Sequence, residues 1–333
     1  MNNHKILKQR WDNIDKNILS FMKKNKQINK NMYKRLQNIF DSIKFKYNEL
    51  NDYASISYKA RLKVAINDLK NEYKLSGYVG YTLKEMVNKK KLTNRDVLNS
   101  LILIEYYRQY SQQKTIEMRL FKEVVTYTYK TTQQEVIKEE KKKPRLLTVP
   151  EAYLLQLIGM AGFNGYKWYS YRDGVISYNA NKLYEKVLAQ LQQETEINVY
   201  SDDIMNLLNK QERAYINKKD GRDKVYEDYK SDFSGSLDSQ ISFLVNQTAL
   251  KGMKDQGCKK VQFIAVLDDH TTDMCKSLDG QVFSIDDWNT FDRYSAEDKR
   301  NVVYHIKGLE TGANLPPINN HFHYCRSTIY PYR

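Results

Sequence analysis

TNRDVLNSLILIEYYRQYSQQKTIEMRLFKEVVTYTYKTTQQEVIKEEKKK, the stretch from Thr93 to Lys143, contains neither glycine nor proline. Both residues end helices, proline by losing a donor and clashing with the preceding turn, glycine through backbone entropy. Without them nothing local stops a helix, and at 1.5 Å per residue an unbroken one would be about 75 Å long. Thr93 with Asp96 three residues on has the form of a capping box, which satisfies the free amides of a first helical turn. A segment this long predicts an elongated spine or a two-helix hairpin, and not a compact enzyme core.

Upstream the pattern is also helical. Ile28, Met32, Leu36, Ile39 and Ile43 recur every three or four residues, so they share one helix face while Lys26, Lys30, Lys34 and Lys44 reach water. A core stripe with a wet face is the plain reading; a partner-binding helix is the other. The helical pattern continues from Tyr53 to Leu75, and Ser76-Gly77-Tyr78-Val79-Gly80 predicts a turn.

Downstream, Glu139 to Pro144 combines charge with proline and no apolar residue, which marks a linker. Pro150 suits a first helical turn, and Leu154, Leu155, Leu157 and Ile158 follow it as a short buried helix ended by Gly162. Gly165 to Gly174 is aromatic and bounded by glycines, a packed tyrosine-rich loop or, less plainly, a base-stacking one. From Ala180 to Gln256 the chain reads as helix, with a polar gap at Asn217 to Gly221 and a stop at Gly257. Val261, Phe263, Ala265 and Leu267 then alternate with Gln262, Ile264 and Val266, a strand apolar on both faces. The fold expected is mainly α: an elongated basic helical region over 1–144, a helical middle region over 145–257, and a small α+β domain with a short β-sheet over 258–333.

At 333 residues the chain is long enough for roughly two cores, and 41% hydrophobic residues are enough to build them. The formal net charge is +14. Residues 1–50 carry twelve Lys or Arg against four Asp or Glu, so the excess is concentrated, which favours a polyanion contact over an ordinary solvated surface. Lys23, Lys24, Lys26, Lys30, Lys34 and Arg35 are the candidate phosphate-binding residues. Three cysteines cannot all pair within one chain, and no signal-peptide apolar core follows Met1, so synthesis in a reducing cytoplasm is expected. No apolar run approaches the roughly 18 residues of a membrane span.

The remaining chemistry is concentrated at the C-terminal end. Asp269-His270-Thr271-Thr272-Asp273 follows the strand as a capped turn. Asp279-Gly280 suits a tight hairpin, which would put Cys275 on one arm of a small ribbon. His321, His323 and Cys325 occupy alternate positions, so an extended backbone projects all three from one face. With Cys275 they form a candidate tetrahedral Zn²⁺ site. A Cys275–Cys325 disulfide and simple burial of both thiols are the competing readings. A Cys/His nucleophile is a further one, but no protease spacing, phosphate-binding glycine loop or H-E-x-x-H text accompanies it.

The same residues resemble the closing domain of phage minor head proteins, the Mu F-like head morphogenesis family. The matching elements are Asp269, Thr272, Cys275, Leu278-Asp279-Gly280-Gln281-Val282-Phe283, Pro316-Pro317, Cys325-Arg326-Ser327-Thr328 and Pro331, in the family's order and spacing. Softer similarity reaches back to Tyr169-Ser170-Tyr171-Arg172 and Val245-Asn246-Gln247-Thr248-Ala249. One departure is that the family's histidine three residues before the cysteine is Phe322 here, flanked by His321 and His323. The resemblance implies a structural minor capsid protein made in the host cytoplasm and residing inside the virion near the portal. Its partners would be the portal, other capsid proteins and double-stranded DNA, with no membrane in the assembled head. The sequence ends directly after the motif, so no appended toxin or nuclease domain is expected. The alternative is an enzyme, nuclease or ADP-ribosyltransferase-like, using the Cys/His cluster.

Overall fold

The computed structural model describes residues 3–75, 77–141, 143, 145–160, 168–216, 237–265, 276, 279–286 and 328–333. Among them are eight α-helices and three short strands. The helices are α1 (Asn3–Asp41), α2 (Ile56–Glu72), α3 (Gly77–Asn88), α4 (Asn94–Glu139), α5 (Glu151–Met160), α6 (Trp168–Gln192), α7 (Asp202–Ile216) and α8 (Leu237–Asp255). The strands are β1 (Lys260–Ile264), β2 (Val282–Ser284) and β3 (Thr328–Tyr332). The protein is therefore mainly helical, with a small antiparallel sheet near the C-terminus. It has two compact units, one of residues 1–20, 118–168 and 214–333, the other of residues 21–117 and 169–213. Each of α1 and α4 supplies residues to both.

The glycine-free stretch is one helix and not a hairpin: α4 runs for 46 residues, about 69 Å at 1.5 Å per residue. Its start is the capping box read from sequence. The Thr93 N–H donates to Asp96 Oδ2 at 2.9 Å, and the Asp96 N–H donates back to Thr93 Oγ1 at 3.2 Å.

In the second unit the core draws on six helices. Met32, Leu36, Ile39 and Phe40 of α1 meet Leu62, Ile66 and Leu69 of α2, Val79 and Leu83 of α3, and Val97, Leu101 and Ile102 of α4. Ile176, Leu183 and Val187 of α6 and Ile204 and Leu208 of α7 complete it. Gln37 fixes the α6–α7 connection, donating from Nε2 to the Ile197 carbonyl at 3.1 Å and accepting the Val199 N–H at 2.8 Å. The turn expected over Ser76 to Gly80 is overturned at its described residues, because Gly77 to Gly80 form the first turn of α3. A Cβ on Gly80 would sit 2.9 Å from the Leu75 carbonyl carbon, so this glycine permits the close approach of the chain entering the helix.

In the first unit the sheet has the order β2-β1-β3, antiparallel on both sides of β1. Val261 faces Phe283 on one side and Pro331 on the other. Its core joins Val261, Phe263, Ala265 and Ile329 to Ala249, Leu250 and Met253 of α8 and Val136 of α4. The apolar alternation of β1 reflects this central, covered position. Helix α8 stops as expected at Gly257, whose φ of +71° is costly for residues with a Cβ. The Cys258 N–H bonds to the Met253 carbonyl and the Gly257 N–H to the Lys254 carbonyl, the two bonds of a Schellman cap.

One further local expectation changes. Trp168 to Gly174, read as the end of a loop, form the first turns of α6. Asp279-Gly280 turns the chain into β2, which pairs with β1; the arm of the expected ribbon that would carry Cys275 lies outside the described residues. Both partners of β1 are antiparallel strands from later in the chain, a pairing that no dipeptide can specify.

Candidate nucleic-acid interface

Helix α1 acquires a basic side because its other side is fully committed. Leu7, Trp11, Ile14, Ile18, Phe21, Asn25, Asn29, Met32, Leu36 and Ile39, spaced by three or four residues, are all buried. The two amides in that stripe are buried too. In the second unit Gln113 Nε2 donates to Asn25 Oδ1 at 2.8 Å and Asn29 Oδ1 at 3.2 Å, and Gln109 Nε2 donates to Asn29 Oδ1 at 2.6 Å. The α1 residue number falls as the α4 number rises, so the helices are antiparallel there. The stripe fixes the rotation of α1 and turns the lysines outward.

Lys23, Lys24, Lys26, Lys30 and Lys34 are all exposed. At 100° per residue, Lys23, Lys30 and Lys34 fall within about 40° of one another, Lys26 stands beside them and Lys24 lies on the flank. The axial span from Lys23 to Lys34 is about 16.5 Å at 1.5 Å per residue. From Lys16 to Phe40 the sequence has no Asp or Glu, so none of these lysines has an acid three or four residues away on its own helix. None of the five forms an ion pair with a described residue. Five such ammonium groups raise a local positive potential that attracts polyanions.

Arg35 has a different environment. Its Nε donates to Glu105 Oε2 at 2.5 Å, and Glu105, 5% exposed at its side chain, also accepts from Arg108. Its guanidinium thus clamps α1 to α4 at the edge of the lysine row.

The C-terminal candidates divide into two sets. Asp269, Thr272, Cys275, His321, His323, Cys325 and Arg326 lie outside the described residues, and so does the Zn²⁺ site that Cys275, His321, His323 and Cys325 would form. Asp279 and Gly280 are described, and they hold the sheet together. Asp279 Oδ1 accepts the Ala265 N–H at 2.8 Å, beyond the end of the β1 ladder, and its Oδ2 lies 3.1 Å from His4 Nε2. The Gly280 N–H donates to the Phe263 carbonyl at 2.8 Å. A second contact at this end is Asn3 Nδ2 donating to Gln262 Oε1 at 2.9 Å.

The third cysteine, Cys258, is 2% exposed, and its Sγ lies 3.0 Å from the Lys260 carbonyl. Burial first, and the nearby Glu140 second, push its thiol up to about 11. It is thus a protonated, packed side chain at neutral pH and not a thiolate nucleophile.

A basic and aromatic corner in the second unit escaped sequence reading: Tyr53 and Thr93 form an isolated β-bridge, beside Lys89, Lys90 and Lys91. The three lysines were visible in the chain, but the ring they accompany lies some forty residues away. Searches against protein-family models, curated proteins and solved structures found no match to this chain.

Proposed function

We propose that this chain is a structural, non-enzymatic minor capsid protein of a phage head, located inside the capsid near the portal and contacting packaged double-stranded DNA without sequence preference. The observation that carries the DNA contact is the lysine row of α1, exposed from Lys23 to Lys34 within a stretch, Lys16 to Phe40, that has no acidic residue. Lysine ammonium groups along an exposed helix face are suited to phosphates, whose contacts carry no sequence information directly. The portal and capsid partners rest on the order of the motifs from Asp269 to Pro331.

The test of the DNA contact is duplex binding against salt. Each neutralised phosphate releases counterions, and five contacts give a slope of log K against log salt of about −4.5. Raising salt from 50 to 200 mM should then weaken binding about 500-fold. Replacing the five lysines by glutamine should remove most of that slope while leaving the melting temperature close to that of the parent. Salt-independent binding, or a quintuple variant that keeps the parent slope, refutes the assignment. The portal arm is tested by co-purification of the full chain with a portal ring.

A further inference from the structure

The corner between α3 and α4 is rigid for reasons unrelated to the one ring it displays. It is fastened to the segment before α2 by three backbone hydrogen bonds and one from a side chain. The Ala54 N–H donates to the Leu92 carbonyl at 2.8 Å, the Asn94 N–H to the Asp52 carbonyl at 3.0 Å, and the Arg95 N–H to the Leu50 carbonyl at 2.8 Å. Asn94 Nδ2 adds a bond to the Glu49 carbonyl at 2.9 Å. Between these anchors Tyr53 pairs with Thr93 as a β-bridge, and its side chain is left 64% exposed. The ring adds nothing to the apolar core, whose nearest member in sequence is Ala54.

Lys91 Nζ lies 5.9 Å from the centroid of that ring, within the range of a cation–π contact. Lys89 is taken up by Asp96 at 2.8 Å, which neutralises the acid nearest the cap. Lys90 is exposed next to it. One exposed aromatic ring on a fixed backbone, with the Lys91 ammonium over one face and exposed Lys90 its neighbour in sequence, is the minimal platform for an unpaired nucleotide: the base stacks on the ring, and the flanking phosphates meet the lysines.

We infer that Tyr53, with Lys90 and Lys91, is a binding site for an unpaired base of single-stranded nucleic acid. The inference deepens the proposed polyanion role and rests on it, but it uses a different element from the α1 lysine row. A duplex keeps its bases stacked on one another and offers this ring nothing; a single strand does not.

Fluorescence anisotropy of the full chain with a labelled dT oligomer and with a duplex of equal length tests it. Tyr53→Ala should weaken oligo-dT binding by roughly 5- to 150-fold, the range for loss of one base–aromatic stack, and leave duplex binding unchanged. Tyr53→Phe should retain oligo-dT affinity because it keeps the ring. Tyr53→Trp should show indole quenching on adding oligo-dT and little on adding duplex. Equal oligo-dT affinity for the parent and Tyr53→Ala overturns the site, as does an equal loss for Tyr53→Ala and Tyr53→Phe. If the quintuple lysine variant loses duplex binding while Tyr53→Ala changes nothing, the DNA role stands and this site falls. If duplex binding is absent but oligo-dT binding depends on Tyr53, the site stands and the duplex role falls.

Discussion

Arg10 and Glu135 form an ion pair inside the first unit, with side chains only 1% and 8% exposed. Removing one member leaves the other as a lone buried charge, at a cost of about 3–5 kcal/mol. The pair is incompletely hydrogen-bonded: Arg10 Nε and Nη1 and Glu135 Oε1 find no partner among the described residues. Its desolvation is therefore poorly offset, and an apolar pair of similar volume should be close to neutral or even stabilising. The expected pattern is that Arg10→Met and Glu135→Leu each lower the melting temperature by roughly 6–20 °C, at about 2–4 °C per kcal/mol for a unit of this size. The double variant should recover most of it, giving a coupling of at least about 3 kcal/mol in a double-mutant cycle. The two single variants should also differ in acid. A lone carboxyl can take a proton, whereas a guanidinium cannot shed one, so only Arg10→Met should recover as the pH is lowered. Thermal and urea melts of the four proteins between pH 5 and 8 measure both effects. Additive losses in the double variant would refute the reasoning, because the two side chains would then not be acting on each other.

Two further outcomes concern protons. Burial acts against ionised Asp96, but hydrogen bonds from Lys89 and Thr93 outweigh it and hold its carboxyl below the ordinary value. A depressed acid stabilises the fold above its unfolded pKa, and that contribution fades as the pH falls below about 4. Asp96→Ala should cost about 1 kcal/mol at neutral pH, and less in acid; an unchanged melt would show that the cap contributes nothing. At the alkaline end, burial raises the Tyr129, Tyr153 and Tyr330 phenols and the Cys258 thiol. A raised acid holds its proton longer folded than unfolded, so stability should decline as the pH rises from 9 toward 11. Equal urea midpoints at pH 8 and 10.5 would contradict this.

The sequence by itself determined the features whose causes are local. The uninterrupted run after Thr93, the Thr93–Asp96 cap, the Gly257 stop and the period-two run at Val261 are each set by residues within about four positions of one another, through backbone hydrogen bonding and side-chain periodicity. The lysine row was legible for the same reason, since helical spacing alone places Lys23, Lys30 and Lys34 on one side. Only the tertiary structure decided which partners these elements take. The pairing of Asn29 with Gln109, the salt bridge of Arg10 with Glu135, the insertion of β1 between β2 and β3 and the bridge from Tyr53 to Thr93 join residues about twenty to more than a hundred positions apart. Such contacts depend on packing complementarity and on the loop entropy lost in bringing distant segments together, and neither is written in a local pattern. That is why the lysine row of α1 could be read from the chain, whereas the neighbourhood of Tyr53 and Lys91 appeared only once the fold had brought them together.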